Sequence, residues 1–233
     1  MPFYSYYFDP TYILVFIGVI LSLAASARVK STFGKYSRVR SASGLSGAEA
    51  AERILHRNGI FDVKIEHVQG QLTDHYDPRK KVLRLSDSVY GSNSIAAIGV
   101  AAHECGHAIQ DQRSYTPLKI RSALVPVVNF GSTISWPLIL IGLLLTGSQT
   151  LIDIGIILFS TAVVFQLVTL PVEFNASRRA IENLGGAGIL YGDEINHSKK
   201  VLTAAALTYV AAAAATILQL LRLIILFGGR RRD

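Results

Sequence analysis

Residues 122–152 read SALVPVVNFGSTISWPLILIGLLLTGSQTLI and contain no charged side chain. Neither do residues 154–172 or 201–221. A helix needs roughly 20 apolar residues to cross a bilayer, and each run reaches that length or nearly so. A fourth run, Tyr12 to Ala27, is shorter but follows the aromatic stretch Phe3-Tyr4-Ser5-Tyr6-Tyr7-Phe8, a composition that suits a membrane interface. Of the 233 residues only 17% are charged, against about 25% in ordinary soluble domains. The pattern predicts a mainly α polytopic membrane protein with about four transmembrane helices.

The charges are bunched between these runs. Residues 28–121 hold 15 Lys/Arg and 9 Asp/Glu, and residues 173–200 hold 4 of each. The expected division is a transmembrane helix in 1–27, a polar module in 28–121, two transmembrane helices in 122–172, a polar segment in 173–200, and a last transmembrane segment with a basic tail in 201–233. Only Asp9 precedes the first run, which lacks the basic leader of a cleaved signal peptide, so an uncleaved helix is expected. Arg28, Lys30, Lys35, Arg38 and Arg40 follow it and put residues 28–121 and 173–200 on the cytoplasmic side. Arg230, Arg231 and Arg232 then fall outside, against the charge rule, and a partly inserted last segment is the other reading. The net charge of +7 flanks the apolar runs, which points to lipid headgroups rather than nucleic acid. A single cysteine, Cys105, rules out an internal disulfide.

Within the polar module, Ser46-Gly47-Ala48-Glu49 has capping-box spacing before a helix. Val63, Ile65 and His67 alternate with polar residues as in a half-buried strand, Asp77-Pro78 marks a turn, and Val82 to Leu85 reads as a second strand. That strand either offers an edge to an extended substrate or is covered and structural. Ser94 is the expected N-cap of an Ala-rich helix from Ile95 to about Gln110.

That helix carries His103-Glu104-Cys105-Gly106-His107. Four residues advance a helix by about 400° and roughly 6 Å, so both imidazoles point the same way and can share one zinc ion. Glu104, turned away by about 100°, is placed to take a proton from water as general base. Cys105 lies about 200° from either histidine and reads as packing. Gly106 is costly in a helix relative to Ala, which either close approach of another element or a simple packing fit explains. A catalytic zinc needs a third protein ligand. His56, His67, His75, His197 and the remaining carboxylates are candidates, and Glu173, at the end of the third apolar run, is the best placed. Its other reading is an interfacial carboxylate paired with Arg178 or Arg179. His197 is a candidate oxyanion donor, with a solvated histidine beside Lys199 and Lys200 as the plainer reading. His75 and Tyr76 read as loop packing.

The string Val100 to Gln110, VAAHECGHAIQ, together with Leu72 to Pro78, LTDHYDP, resembles the YugP-type membrane zinc metallopeptidases over nearly the whole chain. That family is similar in plan to the HtpX and CAAX prenyl protease peptidases. The resemblance implies a zincin-like cytoplasmic module carrying the HExxH helix, Zn2+ as cofactor, and Glu173 as third ligand, because a Glu opening an E-x-x-x-D motif fills that role there. The family's Asp falls at Ser177, a departure. Ser177 could still accept a hydrogen bond, more weakly, and Arg178 joins it as a candidate around the metal. The implied function is a zinc-dependent endopeptidase of a bacterial plasma membrane, cutting membrane or membrane-adjacent proteins at the cytoplasmic face. The alternative is a catalytically silent zinc-binding membrane adaptor, against which the intact Glu104 argues. A zinc transporter would need ionisable residues inside the membrane runs, where only Asp153 and Arg222 come close. Partners expected are membrane-protein or peptide substrates and the bilayer. A second copy or a regulatory membrane partner is left open, and the substrate-binding residues are not readable.

Overall fold

The charge-free runs fold as long helices in the computed structural model, which describes residues 9–228. They lie in α1 (Tyr12–Tyr36), α4 (Thr116–Ile141, continued by a π-helical turn over Gly142–Thr146), α5 (Gln149–Gly186) and α6 (Asp193–Phe227). All four are long and apolar enough to cross a membrane. Pro126 and Pro137 sit inside α4 without ending it, as membrane helices tolerate. Gly147, in the left-handed region at φ 62°, makes the turn into α5. Large apolar side chains such as Leu144 and Leu145 stand 72% and 79% exposed, a surface suited to lipid.

Two of these helices run further than the apolar pattern. The third apolar run gives an end near Val172, yet α5 continues through Pro171 to Gly186. The continuation has its own reason. Val172, Ala176, Ala180 and Leu184 recur every four residues and are all buried, so one face of the extension packs as a helix should. Likewise α6 begins at Asp193 rather than Val201, with Asp193 and Glu194 in its first turn, where negative charge complements the helix dipole. Most of residues 173–200 is therefore helix.

The chain divides into two compact units. The first comprises Met1–Ala24, Ile120–Thr169 and Tyr209–Asp233. In it α4 and α5 touch closely, since a Cβ on Gly155 would lie 2.9 Å from the Ser135 carbonyl oxygen. Small residues of this kind let membrane helices approach. Arg222 is satisfied there: its guanidinium donates to Asp9 Oδ2 at 2.9 Å and Thr11 Oγ1 at 3.2 Å and covers the Tyr12 ring. The aromatic stretch Phe3 to Phe8 and the C-terminal arginines 230–232 lie outside the described residues.

The second unit comprises Ala25–Lys119 and Leu170–Thr208. Its first short helix is α2 (Gly47–Arg57), opened by the Ser46–Glu49 capping box with both reciprocal hydrogen bonds made. A three-stranded sheet follows in the order β1-β3-β2, with β1 at Lys64–Val68, β2 at His75–Asp77 and β3 at Val82–Ser86. β1 runs parallel to β3, and β2 antiparallel to it. The Val82–Leu85 strand is thus central and mostly buried, which overturns its reading as a substrate-binding edge. The edges are β1 and β2, and the three residues of β2 are too few to alternate recognisably. α3 (Ile95–Gln112) is capped by Ser94, whose side chain accepts from Ala97 N–H. It is buried on most sides, and its alanines let neighbours come close on all of them. Leu83, Leu85, Ile54, Leu55, Ile98 and Ile109 form the core between α2, the sheet and α3.

Candidate metal centre

His103 and His107 leave the same face of α3, their ring centroids 4.8 Å apart and edge to face. The helix presses this face against α5. A Cβ on Gly106 would meet the Ala176 carbonyl oxygen at 2.5 Å, so only glycine permits this approach. Of the two readings of Gly106, close approach is the one observed. That contact brings Glu173, just under one helical turn before Ala176 on α5, over the imidazoles. Its Oε2 lies 3.2 Å from His103 Nε2 and 3.6 Å from His107 Nε2.

A tetrahedral zinc with bonds of about 2.0–2.1 Å needs ligand atoms about 3.3 Å apart. The three donor atoms here lie within 4.8 Å of one another, and the two nitrogen–oxygen distances bracket the ideal. Two imidazoles and one carboxylate are also a donor set zinc takes in catalytic sites. The residues present therefore fit the ion. Glu173 is 1% exposed and the histidines 13%. Burial works against charge on His107, but its hydrogen bond to Glu173 and the charges of Glu104 and Glu173 outweigh it and raise its pKa. The site attracts positive charge.

The outer nitrogens of both rings are held. Gln110 Nε2 donates to the Val172 carbonyl at 2.8 Å and to Asn175 Oδ1 at 3.0 Å. This leaves Gln110 Oε1, 3.1 Å from His107 Nδ1, as the acceptor. His107 is thereby protonated on Nδ1 and offers the lone pair of Nε2 inward. Ser177 Oγ stands 3.1 Å from His103 Nδ1, within reach to accept from that ring. Asn175 Oδ1 also accepts from Arg179 Nε at 2.8 Å, which extends the network along α5.

Glu104 is 8% exposed and turned toward β2. The Tyr76 backbone N–H donates to its Oε2 at 3.1 Å. This N–H points away from β3, out of the open edge of the sheet. The Tyr76 hydroxyl and Lys81 Nζ both donate to Asp111 Oδ2, at 2.8 and 2.7 Å, and tie the hairpin to the last turn of α3.

Other candidates lie elsewhere. His56 rests on Phe61, His67 pairs with Asp87, and His75 bonds the Thr73 carbonyl. Arg178 is exposed and faces Glu182 rather than the candidate ligands. His197 stacks on Tyr36, and among the described residues no contact joins it to the triad. Cys105 is fully buried with its thiol 3.6 Å from the Ala51 carbonyl, and burial pushes the thiol's pKa up. Gln110 and the Tyr76 N–H are the participants that sequence reasoning missed. Gln110 had a signal, since three residues beyond His107 shares its helix face. A backbone N–H has none.

Four helices apolar enough to cross a membrane and a part-buried His-His-Glu cluster able to hold a metal ion mark a membrane-type protein with a candidate metal centre. The chain belongs to the family described as "Putative neutral zinc metallopeptidase", which matches residues 11–228. It is also 56% identical to the "Putative membrane protease YugP" of Bacillus subtilis (strain 168) over 191 residues, which cover 82% of this chain and 84% of that relative. The resemblance drawn from residues 72–78 and 100–110 therefore holds. No solved structure matches the chain.

Proposed function

We propose that the chain is a membrane zinc endopeptidase that hydrolyses peptide bonds of membrane or membrane-adjacent proteins at the cytoplasmic face. The observation that carries this reading is the convergence of His103, His107 and Glu173, with the Glu104 charge close enough to act on His107 and its carboxylate held by the Tyr76 N–H. His103, His107 and Glu173 would hold the ion. When bound, zinc supplies Lewis acidity that polarises a carbonyl and acidifies water. Glu104 receives the proton from water and passes it to the leaving amine. The Tyr76 N–H fixes one Glu104 oxygen and leaves the other to move that proton. Ser177 and Gln110 hold the imidazoles in the tautomer that binds a metal. An extended substrate would add alongside β2, the outer strand whose Tyr76 N–H bonds Glu104.

The membrane assignment of the substrate is supported by the position of Glu173, the first charge after residues 154–172 on one continuous helix. The cytoplasmic side is supported by the basic cluster Arg28 to Arg40.

The test is Glu104→Gln. The amide keeps the shape of the carboxylate but cannot take the proton, so cleavage of a detergent-solubilised membrane protein should fall at least about 10²-fold. Metal analysis of the same preparation should still find zinc at the parent level. Equal cleavage by mutant and parent would overturn the reading.

A further inference from the structure

A second polar site lies apart from the metal centre, in a cavity of about 730 Å3 between α1 and α6. None of the three candidate metal ligands lines it. Arg28 and Lys35 stand seven residues apart on α1, with Ser31 and Thr32 between them, so the four share one face. Asp193, Asn196, His197 and Lys200 repeat that spacing on α6, with Lys199 and Thr203 alongside. Four basic side chains thus face one cavity against a single acid.

Like charges so gathered repel one another. Among the described residues, none of Arg28, Lys35, Lys199 and Lys200 has an ion-pair partner. Lys35 Nζ stands 5.3 Å from the centre of the Tyr36 ring. His197 stacks on the same ring, and its Nδ1 is buried with no hydrogen-bond partner. Contact between two helices needs no such arrangement. An anion explains it, because its charge offsets the repulsion and its oxygens accept from the ammonium, guanidinium and hydroxyl donors.

The chemistry of that anion follows from where the cations stand in the chain. Arg28 is the first charge after the apolar run Tyr12 to Ala27, and Lys199 and Lys200 directly precede the charge-free run 201–221. Basic side chains at such boundaries meet the phosphates of lipid headgroups. Ser31, Thr32 and Thr203 add neutral donors of the kind a tetrahedral oxyanion uses. We propose that this cavity binds a phosphate-bearing anion, presented by a lipid headgroup or free in solution. The inference stands independently of the peptidase reading.

The test uses the full chain in a neutral detergent, titrated in separate arms with short-chain phosphatidylglycerol, short-chain phosphatidylcholine and inorganic phosphate. The unfolding midpoint serves as readout. Phosphatidylglycerol should raise the midpoint saturably and phosphatidylcholine should not. In Lys35→Gln/Lys200→Gln the apparent affinity should fall about thirtyfold, the loss expected for two cations beside a membrane anion. All four basic side chains are exposed, so both this variant and Arg28→Gln/Lys199→Gln should keep the fold and behave alike. Arg79→Gln/Lys80→Gln, on the β2–β3 turn, should bind as the parent does. A saturable effect of inorganic phosphate with the same dependence on the cavity lysines assigns the site to a free anion. If neither anion shifts the parent's midpoint, or the cavity variants respond as the parent does, the proposal is overturned.

Discussion

Gln110 is fully buried and uses both ends of its amide, one on His107 and the other on α5. Replacing it by alanine frees the His107 ring to rotate and leaves the proton on either nitrogen. Loss of such an outer partner typically costs about 10–100-fold in metal affinity, and Gln110→Ala should show that loss in a chelator-competition titration. Ser177→Ala should lose less, because the Ser177 hydroxyl makes one contact to His103, whereas the Gln110 amide also ties its histidine to α5. A ligand itself is different in kind: Glu173→Ala should lose zinc as severely as His103→Ala. If Glu173→Ala still carries one equivalent after dialysis, another residue supplies the third ligand. At this scale the His103–His107 pair is readable because helical geometry is local. Glu173 lies 70 residues from His103, and spacing alone leaves it one candidate among several. Its place at the end of the third apolar run makes it the best of these, and the family resemblance strengthens that reading. The same resemblance makes Ser177 a weaker acceptor in place of an acid, and a hydrogen bond to His103 is what the structure shows.

Between elements, the decisive contact is Gly106 against the backbone of α5. Gly106→Ala should gain about 1 kcal/mol of helix propensity. It must also push a methyl group into the Ala176 carbonyl, and overpacking of this sort costs about 1–3 kcal/mol. The clash meets backbone rather than a flexible side-chain tip, so it should win. The expected outcome is a lower unfolding midpoint together with weaker zinc retention, since α5 carries Glu173 away as it yields. A higher midpoint would show that α5 does not pack there. A second tie joins the hairpin to α3. Tyr76→Phe removes one of the two donors on Asp111 and should cost about 1–2 kcal/mol of stability, read by chemical denaturation. The helices are legible because their apolar runs are long and Ser46 and Ser94 mark their starts. The sheet order is not. Nothing in Val82 to Leu85 distinguishes a central strand from an edge, and β2 becomes visible only through its pairing with β3. The extension of α5 past Val172 is hidden because the hydropathy changes there while the helical repeat of buried residues continues.

For the whole chain, His107 and Glu173 impose a constraint on membrane topology. Their side chains lie 3.6 Å apart, so an even number of crossings must separate them. The apolar runs between Ser122 and Val172 supply two. The shared side should be cytoplasmic, because Arg28, Lys30, Lys35, Arg38 and Arg40 follow α1's apolar run and only Asp9 precedes it. The structure also says where to place reporters. Ser198 is fully buried, so a cysteine there would stay unlabelled on either side of the membrane and decide nothing. Gln71 and Tyr191 are exposed and belong to the two polar stretches, while Thr150 is exposed beside the turn between α4 and α5. The native Cys105 is fully buried, which gives a silent background without further substitution. In intact cells Gln71→Cys and Tyr191→Cys should resist a membrane-impermeant thiol reagent, and Thr150→Cys should react. After permeabilisation all three should label, which separates protection by the membrane from protection by packing. If Gln71→Cys and Tyr191→Cys both react and Thr150→Cys does not, the site faces the outside and the charge rule fails for this chain. If the two polar positions label differently from each other, one of the crossings between Ser122 and Val172 is missing, and the metal centre described here cannot form in the membrane.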